Sequence, residues 1–518
     1  MTGQDTATVP LAADGRPLEQ SLQRALRRQK LRALMLIAPL LLFVLLTFIA
    51  PIADMLYRSV DNRIVSETLP RTVELLPSWQ ESSGKPPSEA VFNALYFDLF
   101  FASELKIHTR LGSRLNYQES GISSLFRKTG RRVGRFETDE ITDQFVALNP
   151  QWESPEFWLE LTKQPDFSDA LPTTASVWAS WQALLIEDEK DIKEETPEDV
   201  LFYALYLDLI QPSAPNTVSS YSWWSNTKNA VESFQPINIV GQFESADEDW
   251  LATNTWGVLK RYAPTVTDGY FLNALDMHKT AGGVEAQPEN LQVYKLLFVR
   301  TLVLSLAIMA SCILLSYPIA YLLSHLPMRK ANLILILVLL PFWTSLLVRT
   351  SAWKVLLQQQ GVINDLLVWV GLVDDANRLI MMNNAVGTMI AMTHILLPFM
   401  ILPMYSVMRT IPVSYVRAAK SLGATNWTAF WKVYFPQSVP GIGAGSILVF
   451  IMAIGYYITP AIVGGTTGIF ISNRIAYHIS SSLNWGLASA LGAILLIVVL
   501  VLYWLYDKYV GIDNLKLG

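Results

Sequence analysis

Polar and apolar positions divide this chain into three regimes. Six stretches are almost continuously apolar over a membrane length, at roughly 32–57, 296–324, 331–353, 385–408, 443–465 and 487–508. Crossing a hydrocarbon core takes about 20 such residues, because in lipid every backbone N–H and C=O must be satisfied within its own helix. No Asp or Glu stands in the middle of any of the six. Trp343, Trp353, Tyr456, Tyr457, Tyr503 and Trp504 fall towards their ends, where interfacial aromatics belong. The second regime, residues 58–290, mixes charged residues with apolar ones at helical spacing and predicts a soluble helical unit between the first two spans. The third is the polar loop 409–440. Its pattern predicts Pro412 at a helix start, Ser414 capping the first turn, two turns over 415–422, and a reversal at Gly423. Thr425 then caps a second helix, with Trp427, Phe430, Trp431 and Tyr434 on one apolar stripe and Pro436 and Pro440 stopping it. The expected fold is an all-α membrane protein: six transmembrane helices with a large, mainly α-helical insertion between helices 1 and 2.

Charge sets the expected orientation. Arg24, Arg27, Arg28, Lys30 and Arg32 precede the first span, Arg329 and Lys330 link spans two and three, and Arg409, Arg417, Lys420 and Lys432 lie in the 409–440 loop. By the positive-inside tendency these segments share the cytoplasmic side. The expected layout is a cytoplasmic tail (1–31), helix 1 (32–57), an extracytoplasmic, periplasmic domain (58–290), a transmembrane domain (291–510) and a cytoplasmic tail (511–518). The first span is too long for a cleaved signal peptide and reads as a retained signal-anchor. Formal net charge is −5, yet residues 58–290 hold 19 Lys/Arg against 35 Asp/Glu, leaving 20 against 9 for the rest. A basic membrane domain is what orientation alone produces, so it gives no indication of nucleic acid. The single cysteine, Cys312, lies in the second span, so the outer unit is held together by its core rather than by disulfides.

Within the insertion, Pro87-Ser88-Glu89-Ala90-Val91-Phe92-Asn93-Ala94-Leu95-Tyr96-Phe97-Asp98-Leu99 aligns with Pro197-Glu198-Asp199-Val200-Leu201-Phe202-Tyr203-Ala204-Leu205-Tyr206-Leu207-Asp208-Leu209. A fainter echo pairs Ile141, Gln144 and Phe145 with Ile239, Gln242 and Phe243. Duplication of a helical unit accounts for both; coincidental helical patterning is the alternative. The acidic run 187–195 reads as a solvated surface, and Trp152, Trp158, Trp178, Trp181, Trp223 and Trp224 as core. His108 and His278 have no partner at metal-ligand spacing, and the unit offers no catalytic constellation.

The loop sequence Arg417-Ala418-Ala419-Lys420-Ser421-Leu422-Gly423, followed by Val433-Tyr434-Phe435-Pro436, resembles the cytoplasmic coupling loop of ABC importer permeases, EAA-x3-G-x9-I-x-L-P. Ala418, Ala419, Gly423 and Pro436 match in register. Arg417 replaces the Glu, Val433 the Ile and Phe435 the Leu. Residues 341–353 with 361–364, 457–465 and 484–490 are similar to spans of the spermidine/putrescine-type permeases, so the resemblance covers roughly 30–57 and 290–510. It implies a type I importer subunit of a bacterial inner membrane, multi-pass with both termini cytoplasmic, that itself is not an enzyme and carries no cofactor or metal. Implied partners are ATPase subunits docking on Arg417, Ala418, Ala419, Leu422, Gly423 and Pro436, a second permease subunit (identical or not), a periplasmic substrate-binding protein and membrane lipid. An acidic residue on the ATPase is the expected complement of Arg417. Compact family members lack the insertion, so the resemblance gives it no role; docking of the binding protein is the expectation.

Candidates for the substrate path are Trp343, His394, Tyr456, Tyr457 and Thr459. Polar groups beside Pro460 suit a cavity lining, though an interfacial anchor with a proline kink fits equally. An ionisable group such as His394 inside a membrane is a functional candidate by default, and a neutral histidine bonded to a neighbouring helix is its alternative. Gly441, Gly443 and Gly445 read as close-packing positions. Polyamine is the favoured cargo by resemblance alone, since mid-span carboxylates to balance a polycation are missing. Two other classes remain: a membrane-anchored periplasmic enzyme, and a channel or secondary transporter that needs no ATP. The lack of a G-x-x-x-x-G-K-[ST] loop means that nucleotide would be bound, by that route, only on another chain.

Overall fold

The computed structural model describes residues 18–211 and 221–510; residues 1–17 of the expected N-terminal tail and the whole of the expected C-terminal tail, 511–518, lie outside that range. The described chain is almost entirely helical, apart from a hairpin of β1 (Met277–Thr280) and β2 (Gly283–Ala286). Among the described residues five helices are long and apolar enough to span a membrane. They are α1 (Gln29–Arg58), α5 (Tyr294–His325), α8 (Ala385–Thr410), α10 (Asn426–Gly455) and α13 (Trp485–Lys508).

The expected third span is broken. Helix α6 (Met328–Leu339) and the short 3-10 turn after it meet α7 (Leu346–Leu356) at a 95° bend. Pro341 cannot donate a ladder hydrogen bond, and the Ser345 hydroxyl accepts from the Val348 N–H, restarting the helix in a new direction. The expected fifth span is also displaced. Its helix begins at Asn426 and ends at Gly455, and Pro460 lies in a separate short helix, α11 (Ile458–Val463), rather than interrupting it.

Pro436 and Pro440 therefore do not stop the second loop helix; it runs straight into the membrane. A five-residue π-helical segment, Phe430–Tyr434, comes just before Phe435-Pro436. A proline ring collides with the carbonyl four residues earlier, here that of Lys432, and widening the turn there relieves the collision. The first span uses the same device, with a π-helical segment at Leu45–Ile49 before Ala50-Pro51.

Helices α5, α8 and α10 form the centre of the membrane domain, around Ile308, Cys312, Met392, Met400, Met404 and Val449. Glycines permit the approach of α10 to α8. A Cβ on Gly441 would stand 3.1 Å from the Met404 Cα, and one on Gly445 2.6 Å from the Met400 sulfur. By contrast α1 is exposed along its length and touches α13 only near its last turns, with Met55 beside Gly492. Its apolar surface is available to lipid or to another subunit.

The insertion folds around one aromatic core whose two halves repeat the same wiring. In the first half, Leu69-Pro70 opens a helix whose Thr72 N–H and hydroxyl both donate to Asp98 on α2 (Glu89–Glu104), at 2.8 Å each. In the second, Leu171-Pro172 opens α3 (Pro172–Glu187), whose Thr174 N–H and hydroxyl both donate at 2.7 Å to Asp208 on α4 (Asp199–Ile210). The Trp158 indole donates to the Trp152 carbonyl, and the Trp256 indole to that of Trp250. Gln144 accepts from the Gln235 N–H while Gln242 accepts from the Glu137 N–H, a reciprocal pair of the kind a twofold axis produces. Phe92 on α2 packs on Phe243 and Trp256, and Phe202 on α4 packs on Phe145 and Trp158.

Burial pushes the carboxyls of Asp98 and Asp208 up from the ordinary carboxylate range, against the pull of the threonine donors and, at Asp98, of Arg71. Removing either one leaves buried donors with no acceptor. Asp98→Ala and Asp208→Ala should each destabilise the insertion by about 3 kcal/mol or more, measured as a shift in the tryptophan-fluorescence denaturation curve. Asp98→Ala should cost the more of the two, because it also removes the counter-charge of Arg71, leaving that guanidinium only the neutral acceptors of Ser176 and Ser180.

Candidate coupling loop and membrane path

The loop between α8 and α10 presents a short helix, α9 (Val413–Ser421). Pro412 occupies the N-cap position with no side-chain cap, and Ser414 lies inside the first turn instead of capping it. The C-terminus is closed by two reversed hydrogen bonds. The Ala424 N–H donates to the Ala419 carbonyl and the Gly423 N–H to the Lys420 carbonyl, at 3.0 Å each. This Schellman closure needs a left-handed residue, and Gly423 has φ +90°. Thr425 then caps the next helix through its hydroxyl, which accepts from the Thr428 N–H.

The aromatic stripe predicted on that second helix divides in two. Phe430 and Tyr434 turn inward onto Tyr317 and Tyr321 of α5, and Tyr434 is buried. Trp427 is 71% exposed and pairs edge-on with the exposed Trp431. Arg409 at the end of α8 donates to the carbonyls of Ser324 and Leu326, fastening the loop to the end of α5. On α9 the residues Arg417 and Ala418 are exposed, Ala419 is half-buried, and Leu422 is 89% exposed. Pro436 is exposed on the following helix. A rigid, surface-mounted helix with uncovered apolar side chains has the form of a docking element, and it is tied to three membrane helices at once.

Near the bend in the third span, α7 meets α8 and α11. The Trp353 indole donates to His394 Nδ1 at 3.0 Å, and the hydroxyls of Thr350 and Thr459 are 3.1 Å apart, both buried. Tyr456 and Tyr457 occupy the break between α10 and α11, where their carbonyls accept from Ser472 and Asn473 at the start of α12 (Ile471–Ser480). Trp343 is 75% exposed at the turn before α7. Sequence reasoning passed over Arg349 on α7. It lies near enough to His394 and Tyr456 to act on both electrostatically, and its Nε and Nη1 are buried without a hydrogen-bond partner. A charged residue within a predicted span was the signal that marked it.

Residues 304–510 match the family described as binding-protein-dependent transport system inner membrane component. The spermidine/putrescine transport system permease protein PotB of Salmonella typhimurium (strain SL1344) is 34% identical over 206 residues, covering 39% of this chain and 71% of that protein. The chain belongs to this permease family. The inner membrane ABC transporter permease protein YdcU of Escherichia coli (strain K12) is 30% identical, over 42% of this permease and 71% of that protein. A solved bacterial alginate ABC transporter, in complex with an alginate pentasaccharide-bound periplasmic protein, aligns at 20% identity with a TM-score of 0.35, over 44% of this chain and 81% of that one. The family match places the permease in the inner membrane as a transport subunit of an ABC importer, and leaves the insertion outside it.

Proposed function

We propose that this permease forms half of an ATP-driven import path for a polyamine, and that α9 is where the ATPase takes hold. It works with ATP-hydrolysing subunits, a second permease subunit and a substrate-binding protein. The seating of α9 carries the coupling assignment. Its last turn is closed at Gly423, its approach is fastened by Arg409 to α5, and its exit is continuous with α10. A push on Leu422 and Arg417 is therefore delivered to α5, α8 and α10 together, the movement that alternating access requires. The path residues offered are Trp343, His394, Tyr456 and Tyr457, which supply aromatic faces and phenol hydroxyls to a cation, whereas Thr459 is fully buried against Thr350 and supports the wall instead of facing the cargo.

One observation favours a second reading of the cargo. Arg349 presents unpartnered N–H groups beside His394 and Tyr456, which suits a solute carrying a carboxylate. Uptake of labelled putrescine into vesicles holding the assembled importer separates the two. Polyamine transport predicts ATP-dependent uptake that persists or rises in Arg349→Gln, since a repelling charge is removed. A carboxylate cargo predicts no putrescine uptake, and loss of the true substrate's uptake in the same variant.

A further inference from the structure

One cavity among the described residues lies away from the coupling loop and the candidate path. It has a volume of about 800 Å³ at the seam where the insertion meets the membrane domain. From the insertion it is lined by Asp61, Arg63, Glu67, Arg110 and Arg114, and from the membrane domain by Arg58 at the end of α1 and Asn484 and Trp485 at the start of α13.

Its hydrogen-bonding inventory is unbalanced. Arg114 is 5% exposed, stacked 4.0 Å from the ring centre of Tyr270, and none of its three guanidinium nitrogens has an acceptor. Ring stacking offsets part of the charge but satisfies no N–H. Asn484 is 8% exposed. Its Oδ1 accepts from the Leu487 N–H to cap α13, which turns Nδ2 away from the helix, and that amide nitrogen is also unpartnered. Buried donors left in this state on both walls of one cavity are rare in folded proteins and costly.

The remaining charges do not supply the missing acceptor. Asp61 is gripped by Arg63 at 2.9 and 3.0 Å, which holds its carboxyl below the usual range. Glu67 stands 4.0 Å from the same arginine, and Arg58 is paired with Asp54 at 2.7 Å. Arg110, one helical turn before Arg114 on the same face, makes no ion pair among the described residues. Two arginines and a primary amide thus converge on the cavity with donors only.

We propose that this cavity binds a phosphate-type oxyanion, held by Arg110 and Arg114 of the insertion and by the Asn484 amide of the membrane domain. Its occupant bridges the two parts of the protein. Phosphate chemistry has two available sources, a phospholipid headgroup or a free anion. The space exceeds one phosphate, and Leu483 and Trp485 give its rim two exposed apolar side chains at the start of a membrane helix.

The test is thermal denaturation of the full-length protein in phosphatidylcholine nanodiscs, with phosphatidylglycerol added in one arm and inorganic phosphate in the other. A headgroup site predicts stabilisation by phosphatidylglycerol alone, and a free-anion site predicts stabilisation by phosphate without it. Arg110→Gln lies on an exposed position and should fold normally while weakening the effective ligand about tenfold, the loss expected for one charge-assisted hydrogen bond. Asn484→Asp keeps the capping oxygen but replaces the donor by a carboxylate oxygen, and should weaken it at least as much. If Arg114→Gln fails to fold, these two variants still decide the matter. No stabilisation in either arm, or variants that respond like the wild type, would overturn the proposal.

Discussion

Replacing Gly423 by aspartate should leave the permease folded and in the membrane, with ATP hydrolysis by its partner continuing and uptake lost. Nothing in this chain lies within 4 Å of a Cβ built on Gly423, so a new side chain meets no atom of the permease itself. It projects beside Leu422, into the space assigned to the ATPase. Two penalties then separate. At φ +90° any side chain strains the backbone, which costs about 1–2 kcal/mol and loosens the two hydrogen bonds closing α9. A carboxylate adds negative charge at the C-terminal end of the helix, where the peptide dipoles already place it. Gly423→Asn tolerates the left-handed conformation and carries no charge, so it should retain more uptake than the aspartate variant. Gly423→Ala should fall between wild type and Asp. The checks are membrane yield, ATPase rate and substrate uptake of the assembled importer. Normal uptake by the aspartate variant would remove α9 from the coupling role and reopen the case for ATP-independent transport.

The reach of sequence reasoning follows the range of the interactions involved. Gly423 was legible because a left-handed turn is a local demand that glycine meets best, and Thr425 because a cap bonds within its own turn. Asp98 and Asp208 stand at matching places in two aligned segments, and the structure gives them the same partners, Thr72 and Thr174. The bend at Thr344–Ser345 was hidden, because Pro341, Phe342 and Trp343 keep the hydropathy high through a change in direction. Pro436 misled for a different reason. Proline ends a helix only where the preceding turn is normally wound, and the π-helical segment Phe430–Tyr434 has no reliable sequence signature. The candidates for the path were named singly, whereas the structure joins His394 to Trp353 and Thr459 to Thr350 across 41 and 109 residues. Arg114 and Asn484 were out of reach, since tertiary packing, such as Tyr270 against Gly486 and Tyr117 against His478, is what brings their segments together.

The second large effect is expected at Asp276, which sequence gave no reason to single out. It is fully buried in the insertion's last segment, yet its carboxylate serves the second membrane helix. Oδ1 accepts from the N–H groups of Val293 and Tyr294 at 3.0 and 2.9 Å, and Oδ2 from that of Lys295 at 2.7 Å. The start of α5 has no cap from its own N-cap residue, so this single side chain satisfies three orphan donors and places negative charge at the positive end of the helix. Asp276→Ala should therefore destabilise the junction by about 3–5 kcal/mol, as seen in denaturation of the full-length protein, and should reduce uptake through disorder at the head of α5. Asp276 also has φ +52°, so its conformation offers a rival explanation for its presence. Asp276→Gly tests this directly: it relaxes the backbone but deletes the carboxylate, and should be nearly as damaging as alanine. Stability near wild type in the glycine variant would show that the turn, not the cap, is what the position supplies. The same geometry dictates how the insertion is to be removed. Deleting residues 70–285 takes the cap away with the domain and disables α5 directly. The neck formed by Asn62, whose side chain donates to the carbonyls of Tyr262 and Pro264, sets a cleaner cut at 63–261, which keeps both acceptors. That cut preserves Asp276, so any remaining loss of uptake belongs to the insertion itself.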